Sequence, residues 1–398
     1  MSTARPADET ADGETVARAL REAPFVRVLA RADGDSLAAS GLLARACRAL
    51  DVPFQIRTTS AATADPTVTG NADATDESTD RDDDSLVLAV GHESAPADLV
   101  VPGEPTPASV TADETARVLG TDPDPVLTLA GVVARESVPG DAGSEDVLDT
   151  AVETGAVERR PGVAVPVADL GDGLAHTTLA HGPYSGEVER LRADLAELDL
   201  PAELDDDAHR TVASLVAVQT ATDADATPRS AEAVERLLRP YATPDAPFAT
   251  LGGYADVLDA VARERPGTGV ALALGHDARE AALSAWREHA LVAHRALREA
   301  TTGRYDGLFV ARVETEVDHT TLGTVARLCR DFRSPEPTVL VVGDDGAAAA
   351  SVDPVGVGRA LSAAVAELGG TAGGTTRTGE ARFEAPTKEF IAAFREAL

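Results

Sequence analysis

The 398-residue sequence predicts an α/β protein. A doubly wound parallel sheet comes first, then a helical middle segment, then a smaller α/β domain at the C-terminus. Three observations predict this. Up to residue 183, short apolar runs alternate with segments of helical period, as in parallel strands joined by crossover helices. From Gly186, five successive segments all carry helical period. From residue 304 the alternation returns and includes a glycine-rich stretch, Gly369–Gly374. The expected units are a disordered tail over 1–14, the first α/β domain over 15–183, a helical linker domain over 184–303 and the C-terminal domain over 304–398.

In chain order, residues 15–58 read helix, strand, helix, strand. The largely apolar run Phe25–Ala30 stops at Asp33-Gly34-Asp35, and Leu42, Leu43, Ala46 and Leu50 then share one helical face. Residues 60–84, ending in Asp82-Asp83-Asp84, have no periodicity and read as an acidic loop. Strands follow at Ser85–Val90 and Asp98–Val101, then a helix over Ala108–Leu119. Val126–Ala134 is an apolar run read as a strand, Glu145–Glu158 is a helix, and Val163–Val167 is a short strand. The helical block comprises Glu187–Leu198, Ala208–Thr220, Ala231–Leu238, Tyr254–Glu264 and Ala278–Ala300. The last unit reads as strands at Tyr305–Thr315 and Thr338–Val342, helices at Thr321–Asp331 and Val357–Leu368, a glycine turn at 369–374, a strand near Arg382-Phe383 and a terminal helix. There is no internal repeat.

Composition narrows the function classes. Hydrophobic residues make up 43% of the chain, which is ample for a core. No apolar run approaches the roughly 18 residues of a membrane span. Met1–Glu14 is polar and lacks the apolar centre of a signal peptide, so a cytoplasmic protein without membrane contact is expected. The formal net charge is −32, and Lys388 is the only lysine. Acidity spread along the whole chain suits a high-salt cytoplasm, where a hydrated carboxylate surface stays soluble and salt screens self-repulsion. Nucleic-acid contact would then depend on a local basic patch.

Cys47 and Cys329 lie in apolar helical patterns and read as buried free thiols. His176/His181 and His289/His294 lack the i, i+4 spacing of a helical metal site and read as surface residues, as does His92.

Asp33 and Asp35, at a strand-to-helix turn, are the candidate metal ligands. Carboxylates two residues apart at the carboxyl edge of a sheet can hold a hard divalent cation. They serve equally well as turn and N-cap residues. Thr375 and Arg377, with the backbone of Gly373 and Gly374, are the candidate nucleic-acid contacts, because N–H groups of a glycine loop can cradle phosphate. The cationic and apolar Arg236-Leu237-Leu238-Arg239 and Trp286-Arg287 are candidates for a partner surface, with Trp286 reading first as an ordinary packed core residue.

Four pieces in order resemble the DHH phosphoesterases, and within them the archaeal, here haloarchaeal, RecJ-like proteins. They are Arg31-Ala32-Asp33-Gly34-Asp35-Ser36, where the family has H-x-D-x-D; Pro107–Ala112; the set Tyr241–Asp245, Tyr254–Leu258 and Gly269–Gly275; and Ala372–Gly379, which is similar to the G-G-H loop of the DHH-associated C-terminal domain. The resemblance implies a DHH-type sheet domain and a two-metal phosphodiesterase site filled from four motifs.

This chain departs from that site. Arg31 stands for the first histidine, and Leu86–Gly91 has no carboxylate. Val100–Pro105 lacks the D-H-H triplet, and Arg135 stands where the fourth aspartate is implied. Arg31 and Arg135 are placed to neutralise Asp33 and Asp35 as ion pairs. Thr375 replaces the histidine of G-G-H. The resemblance therefore implies a degenerate site. It points to a non-catalytic scaffold of DNA replication or repair, similar to the catalytically dead DHH subunit of the eukaryotic replicative helicase. Replisome proteins such as a GINS-like complex are the implied partners, with single-stranded DNA or RNA as a further ligand and no cofactor. The alternative is an active single-strand exonuclease using Mn²⁺ or Mg²⁺.

The acidity predicts salt-dependent folding, since close carboxylates repel at roughly 1 kcal/mol per pair when weakly screened. Circular dichroism should show structure lost as KCl is lowered well below molar; an unchanged spectrum at millimolar salt would refute this.

Overall fold

A computed structural model describes residues 11–60, 85–92, 97–201, 203–314 and 317–398. Most of the acidic loop expected at 60–84 lies outside them. Of the expected tail, residues 11–14 form a cap and a helix start. Ala11 N–H bonds to the Val100 carbonyl at 3.1 Å, and the Asp12 carboxylate accepts from Thr15 N–H at the head of α1 (Gly13–Glu22).

The first sheet is parallel. It is built from β1 (Phe25–Arg31), followed by α2 (Gly34–Ala49), then β2 (Phe54–Thr59), β3 (Ser85–Val90) and β4 (Leu99–Val101), in the order β2-β1-β3-β4. Val28 lies opposite both Ile56 and Leu88, so β1 is central. Val26, Val28 and Ala30 point to the buried face, where α2 packs. Next come α3 (Ala108–Val118), α4 (Pro125–Ala134) and α5 (Glu145–Glu153).

Val126–Ala134, expected as a strand, is therefore helical. Periodicity cannot separate a buried helix from a buried strand, but caps can. Asp124 accepts from Val126 N–H and Leu127 N–H, and Pro125 takes the first helical turn. Val163–Val167 is not a strand either; Val163 makes only an isolated bridge to Leu238.

The middle of the chain holds the two-residue strand β5 (Glu158–Arg159), then α6 (Leu170–His176), α7 (Val188–Ala196), α8 (Asp206–Ala221) and α9 (Pro228–Ala233). A 3-10 turn at Val234–Leu237 leads to β6 (Tyr241–Ala242), which pairs with β5. It closes with α10 (Leu251–Glu264), α11 (Pro266–Ala273) and α12 (Arg279–Glu299). This segment does not have a core of its own. Leu251, Val257, Leu272 and Leu283 join the core of the first sheet, whereas Leu191, Val212 and Leu297 join that of the second sheet. The α12 helix feeds both, with Trp286 in the first and Ala293 and Leu297 in the second.

The second sheet has six strands in the order β11-β12-β10-β9-β8-β7. Its elements are β7 (Thr301–Tyr305), β8 (Leu308–Arg312), α13 (His319–Phe332), β9 (Thr338–Val342), β10 (Gly346–Ser351), α14 (Val357–Leu368), β11 (Gly370–Gly374), β12 (Thr378–Phe383) and α15 (Thr387–Ala397). Only β8 and β9 are parallel, joined through α13; the other pairs are antiparallel. α13 lies on one face, while α14 and α15 with Phe390 and Phe394 close the other. The expected strand Tyr305–Thr315 is instead part of a hairpin turning at Gly307 (φ 74°).

The expected glycine turn at 369–374 is mostly strand β11. Gly370 (φ 135°) and Gly374 (φ 157°) approach β12 so closely that a Cβ would sit 2.0 Å from the Arg382 carbonyl and 2.3 Å from that of Thr378. Among the described residues, no helix is long and apolar enough to cross a membrane.

The expectation that the paired histidines are surface residues is overturned for three of the four. His176, His289 and His294 are buried: His289 bonds Glu264 at 2.7 Å, and His294 bonds His181 at 2.9 Å. Half-buried His92 meets Thr59 Oγ1 at 3.2 Å. Trp286, considered for a partner surface, is fully buried and donates from Nε1 to Asp256 Oδ2 at 2.8 Å. Cys47 and Cys329 are buried free thiols.

Asp256 also accepts from Thr178 N–H and Oγ1. Trp286→Phe removes one donor from this buried carboxylate and should lower stability by about 2 kcal/mol, as read from denaturation midpoints in molar KCl. An unchanged midpoint would show that the bond contributes nothing.

Candidate functional site

β1 ends at Arg31, and the chain turns into α2 through Asp33. Asp33 is the N-cap: its Oδ1 accepts from Ser36 N–H at 2.8 Å, and its Oδ2 pairs with Arg31 Nε at 2.7 Å. Asp35, in the first turn of α2 and 1% exposed, points across to α3. Ala108 N–H donates to Oδ2 at 2.8 Å and Ser109 N–H to Oδ1 at 2.9 Å. Pro107, the residue before α3, offers no side-chain cap, so Asp35 caps that helix from outside and its charge meets the positive end of the helix dipole. Gly131 on α4 permits this packing; a Cβ there would lie 2.5 Å from Ser109 Oγ and 3.0 Å from Asp35.

Arg135 ends α4. Its Nη2 bonds Glu104 Oε1 at 2.7 Å, and its charge acts on both aspartates. The two carboxyls titrate apart. Burial alone would raise Asp33, but Arg31, Arg135 and the Ser36 N–H outweigh it and hold Asp33 below its usual range. Burial pushes Asp35 up to about 6, helped by the negative charge of Asp33 and opposed by Arg135 and the Ser109 N–H. Burial likewise pushes His92, next to Arg31, down to about 4.

Arg31, Asp33, Glu104 and Arg135 form one wall of a crevice of about 110 Å³ between the first sheet domain and the second sheet. Arg31, Arg135, Arg263, Arg327, Arg330 and Arg377 line it, against Asp33, Glu104, Glu136, Asp259 and Glu380. Contacts bridge it. Arg263 Nη1 meets Glu380 Oε1 at 2.9 Å, Thr376 Oγ1 donates to Glu104 at 3.0 Å, and Arg330 Nη2 reaches Glu136 at 2.8 Å. The sequence reading gave none of these bridging residues a place in the site. One visible signal was the i, i+4 pair Asp259/Arg263, which is an ion pair at 3.3 Å.

The candidate phosphate cradle is built differently from the sequence expectation. Gly373 and Gly374 pair with Glu380 and Gly379 in the sheet. Thr375 N–H bonds the Thr378 carbonyl at 2.7 Å, and Thr375 Oγ1 accepts from the N–H groups of Arg377 and Thr378. The Thr375 and Thr376 carbonyls accept from Gly358, Val357 and Gly356 at the head of α14. Arg377 donates to the Val352 carbonyl. These amides serve the turn, and the turn presents carbonyls to the helix.

Among the described residues no three His, Cys, Asp or Glu side chains are grouped to hold a metal ion. Asp33 already carries a guanidinium and caps α2, and both oxygens of Asp35 are engaged by α3. The donor set as it stands does not fit a pair of divalent cations.

Asp35 should show its environment in solution. Its folded value near 6 lies above the unfolded value near 3.8, so between these limits the native state holds a proton that the unfolded chain releases. Its contribution to stability therefore falls as pH rises from about 4 to 6. Asp35→Asn should flatten that part of the stability–pH curve, as measured by denaturation midpoints; an unchanged slope would disprove the raised value.

Comparison with known proteins follows this geometry. The family described as "Uncharacterized protein rrnAC1427, C-terminal domain" matches residues 300–396. The rrnAC1427 protein of Haloarcula marismortui is 49% identical over 398 residues, covering 99% of this chain and 98% of its own. Among solved structures, CDC45 from Entamoeba histolytica is similar with a TM-score of 0.56 at 8% identity, covering 97% of this chain and 98% of its own; this likeness is one of fold. RecJ from Thermus thermophilus, crystallised with Mn²⁺, matches with a TM-score of 0.46 at 15% identity, covering 97% of this chain and 53% of RecJ, so this chain spans about half that protein's length. The parallel sheet with a separate C-terminal sheet domain is the architecture the sequence predicted. On the full-length identity, the chain belongs to the family of the uncharacterized Haloarcula protein rrnAC1427.

Proposed function

We propose that this chain is a non-catalytic RecJ-like protein that acts as a binding scaffold in DNA replication or repair, with replisome proteins of the GINS kind as partners. The observation that carries this reading is the pairing of Arg31 with Asp33 at 2.7 Å, with Arg135 set against both Asp33 and Asp35. A two-metal hydrolase needs carboxylates free to bind cations and an open seat for the phosphodiester. Here Arg31 takes Asp33, the backbone amides of α3 take Asp35, and ion pairs and hydrogen bonds bridge the crevice. The fold likeness to CDC45 along nearly the whole of both chains supports the reading. The engaged amides of Thr375 and Arg377 favour protein partners over nucleic acid at that turn. The acidic surface fits a high-salt cytoplasm.

The test is direct. Purified protein in molar KCl with Mn²⁺ should leave single-stranded DNA and RNA intact, and the double variant Asp33→Ala/Asp35→Ala, where it folds, should still co-purify with the same replication proteins from a halophilic host. Degradation abolished by Asp33→Ala would establish the exonuclease alternative. Deleting residues 304–398 is a poor probe, because one core joins the middle helices to the second sheet and the truncated chain would lose it.

A further inference from the structure

A second and larger cavity, of about 370 Å³, lies on the other side of Glu136 and Asp259 from the crevice. It opens between the end of α4, the β5–β6 ribbon and α10. Its interior is apolar and shaped by small residues: Ala134, Ala164, Gly252 and Ala255 leave the space, and Leu179 and Leu251 complete the wall. Its volume is within the range of small-molecule sites, and an apolar body with few polar anchors is the usual lining of one.

Two cations stand at its mouth. Arg159 lies over the Tyr241 ring, 5.0 Å from the centroid, and donates to the Tyr241 hydroxyl at 3.1 Å. Arg239 is exposed, and no carboxylate pairs with its side chain among the described residues. Its backbone sits in the left-handed region (φ 52°), fixed by its N–H on the Gly162 carbonyl at 3.1 Å. Of the other charges of the lining, the half-buried and buried ones have partners. Glu136 faces Arg236 and Arg327, Asp256 accepts from Trp286 and Thr178, and Asp259 pairs with Arg263. Glu232 and Glu235, also lining residues, are exposed and belong to the general acidity of a chain with 67 carboxylates. A guanidinium with no acidic partner in such a chain is available to an outside anion.

We infer that this cavity binds a small organic anion: a planar ring that enters the apolar interior beside Tyr241 and carries one phosphate or carboxylate held at the mouth by Arg239 and Arg159. The inference does not rest on the non-catalytic reading, which the nuclease assay judges separately.

Isothermal titration in molar KCl tests it with 5′-AMP and 2-naphthoate as probes, and with adenosine and 2-naphthamide as their uncharged counterparts. At least one anionic probe should bind at one per chain, and about tenfold or more tighter than its uncharged counterpart. Binding of 5′-AMP alone assigns a phosphorylated ring, and of 2-naphthoate alone an aromatic carboxylate. Arg239→Glu, an exposed change, should weaken the bound probe by about tenfold or more, and Tyr241→Ala should weaken charged and uncharged forms alike. Ala255→Leu should abolish binding by filling the interior; if that variant does not fold, the Arg239 and Tyr241 variants decide. No binding of either anion below about 1 mM, equal binding of the uncharged forms, or binding indifferent to Arg239→Glu would overturn the inference.

Discussion

Glu136 fixes the two halves of the molecule to each other. It sits one residue past the end cap of α4, in the left-handed region, and meets Arg330 at 2.8 Å, Arg236 at 3.6 Å and Arg327 at 3.8 Å. Burial would raise its pKa, but the three guanidinium groups outweigh burial and hold it far below the usual carboxylate range. Arg330 in turn pairs with Asp331, which also takes Arg236. The end of the first domain, the 3-10 turn of the middle segment and α13 under the second sheet thus share one ionic cluster. The Glu136 side chain keeps 32% of its surface exposed, whereas Arg330 and Asp331 keep 6% and 5%, so the loss of a partner is felt most by that inner pair.

The same rule governs the crevice. A chain with a formal charge of −32 gathers six arginines there, and nearly every one is matched by a carboxylate from another element. Arg263 lies between Asp259 and Glu380, and Arg135 lies between Glu104 and the aspartates of α2. Interior charge must be paired, whereas surface charge need only be hydrated and screened. Acidity on the outside and near neutrality inside follow from that difference. Arg263, Arg327 and Arg330 pair across the units, while Arg31 and Arg135 pair within the first.

Period and punctuation carried the α/β alternation. Phe25–Ala30 ahead of Asp33-Gly34-Asp35 was readable as strand, turn and helix start, and the structure places both aspartates at the carboxyl end of central β1. The misread elements share a cause: buried on all sides, they lose the alternation that marks a half-exposed strand or helix. Val126–Ala134 is one case, where the cap at Asp124 was the usable signal. The alanine run of β10, Gly346–Ser351, was assigned no element at all; its low β propensity is overridden by its place between β9 and β12. His289 and His294 looked available because composition does not say which helix face meets a neighbour. The bridging of the crevice was not legible, because its partners come from positions more than a hundred residues apart, such as Arg263 and Glu380.

Two carboxylates two residues apart at a sheet edge need a counter-charge, and its source determines how the site behaves. An exchangeable divalent cation would make the charge balance of Asp33 and Asp35 depend on metal supply. Arg31 and Arg135 are covalently part of the chain, and guanidinium stays protonated at any pH at which the protein folds. The balance is thus built in, and Asp35 is free to act as the cap of α3. In the reading proposed above, this substitution does more than remove a reaction. It turns a cofactor-dependent junction of β1, α2, α3 and α4 into a permanent one, so the surfaces that those elements carry keep one shape whether or not metal is present. A partner-binding scaffold needs that constancy, and a hydrolase that must bind and release its substrate does not.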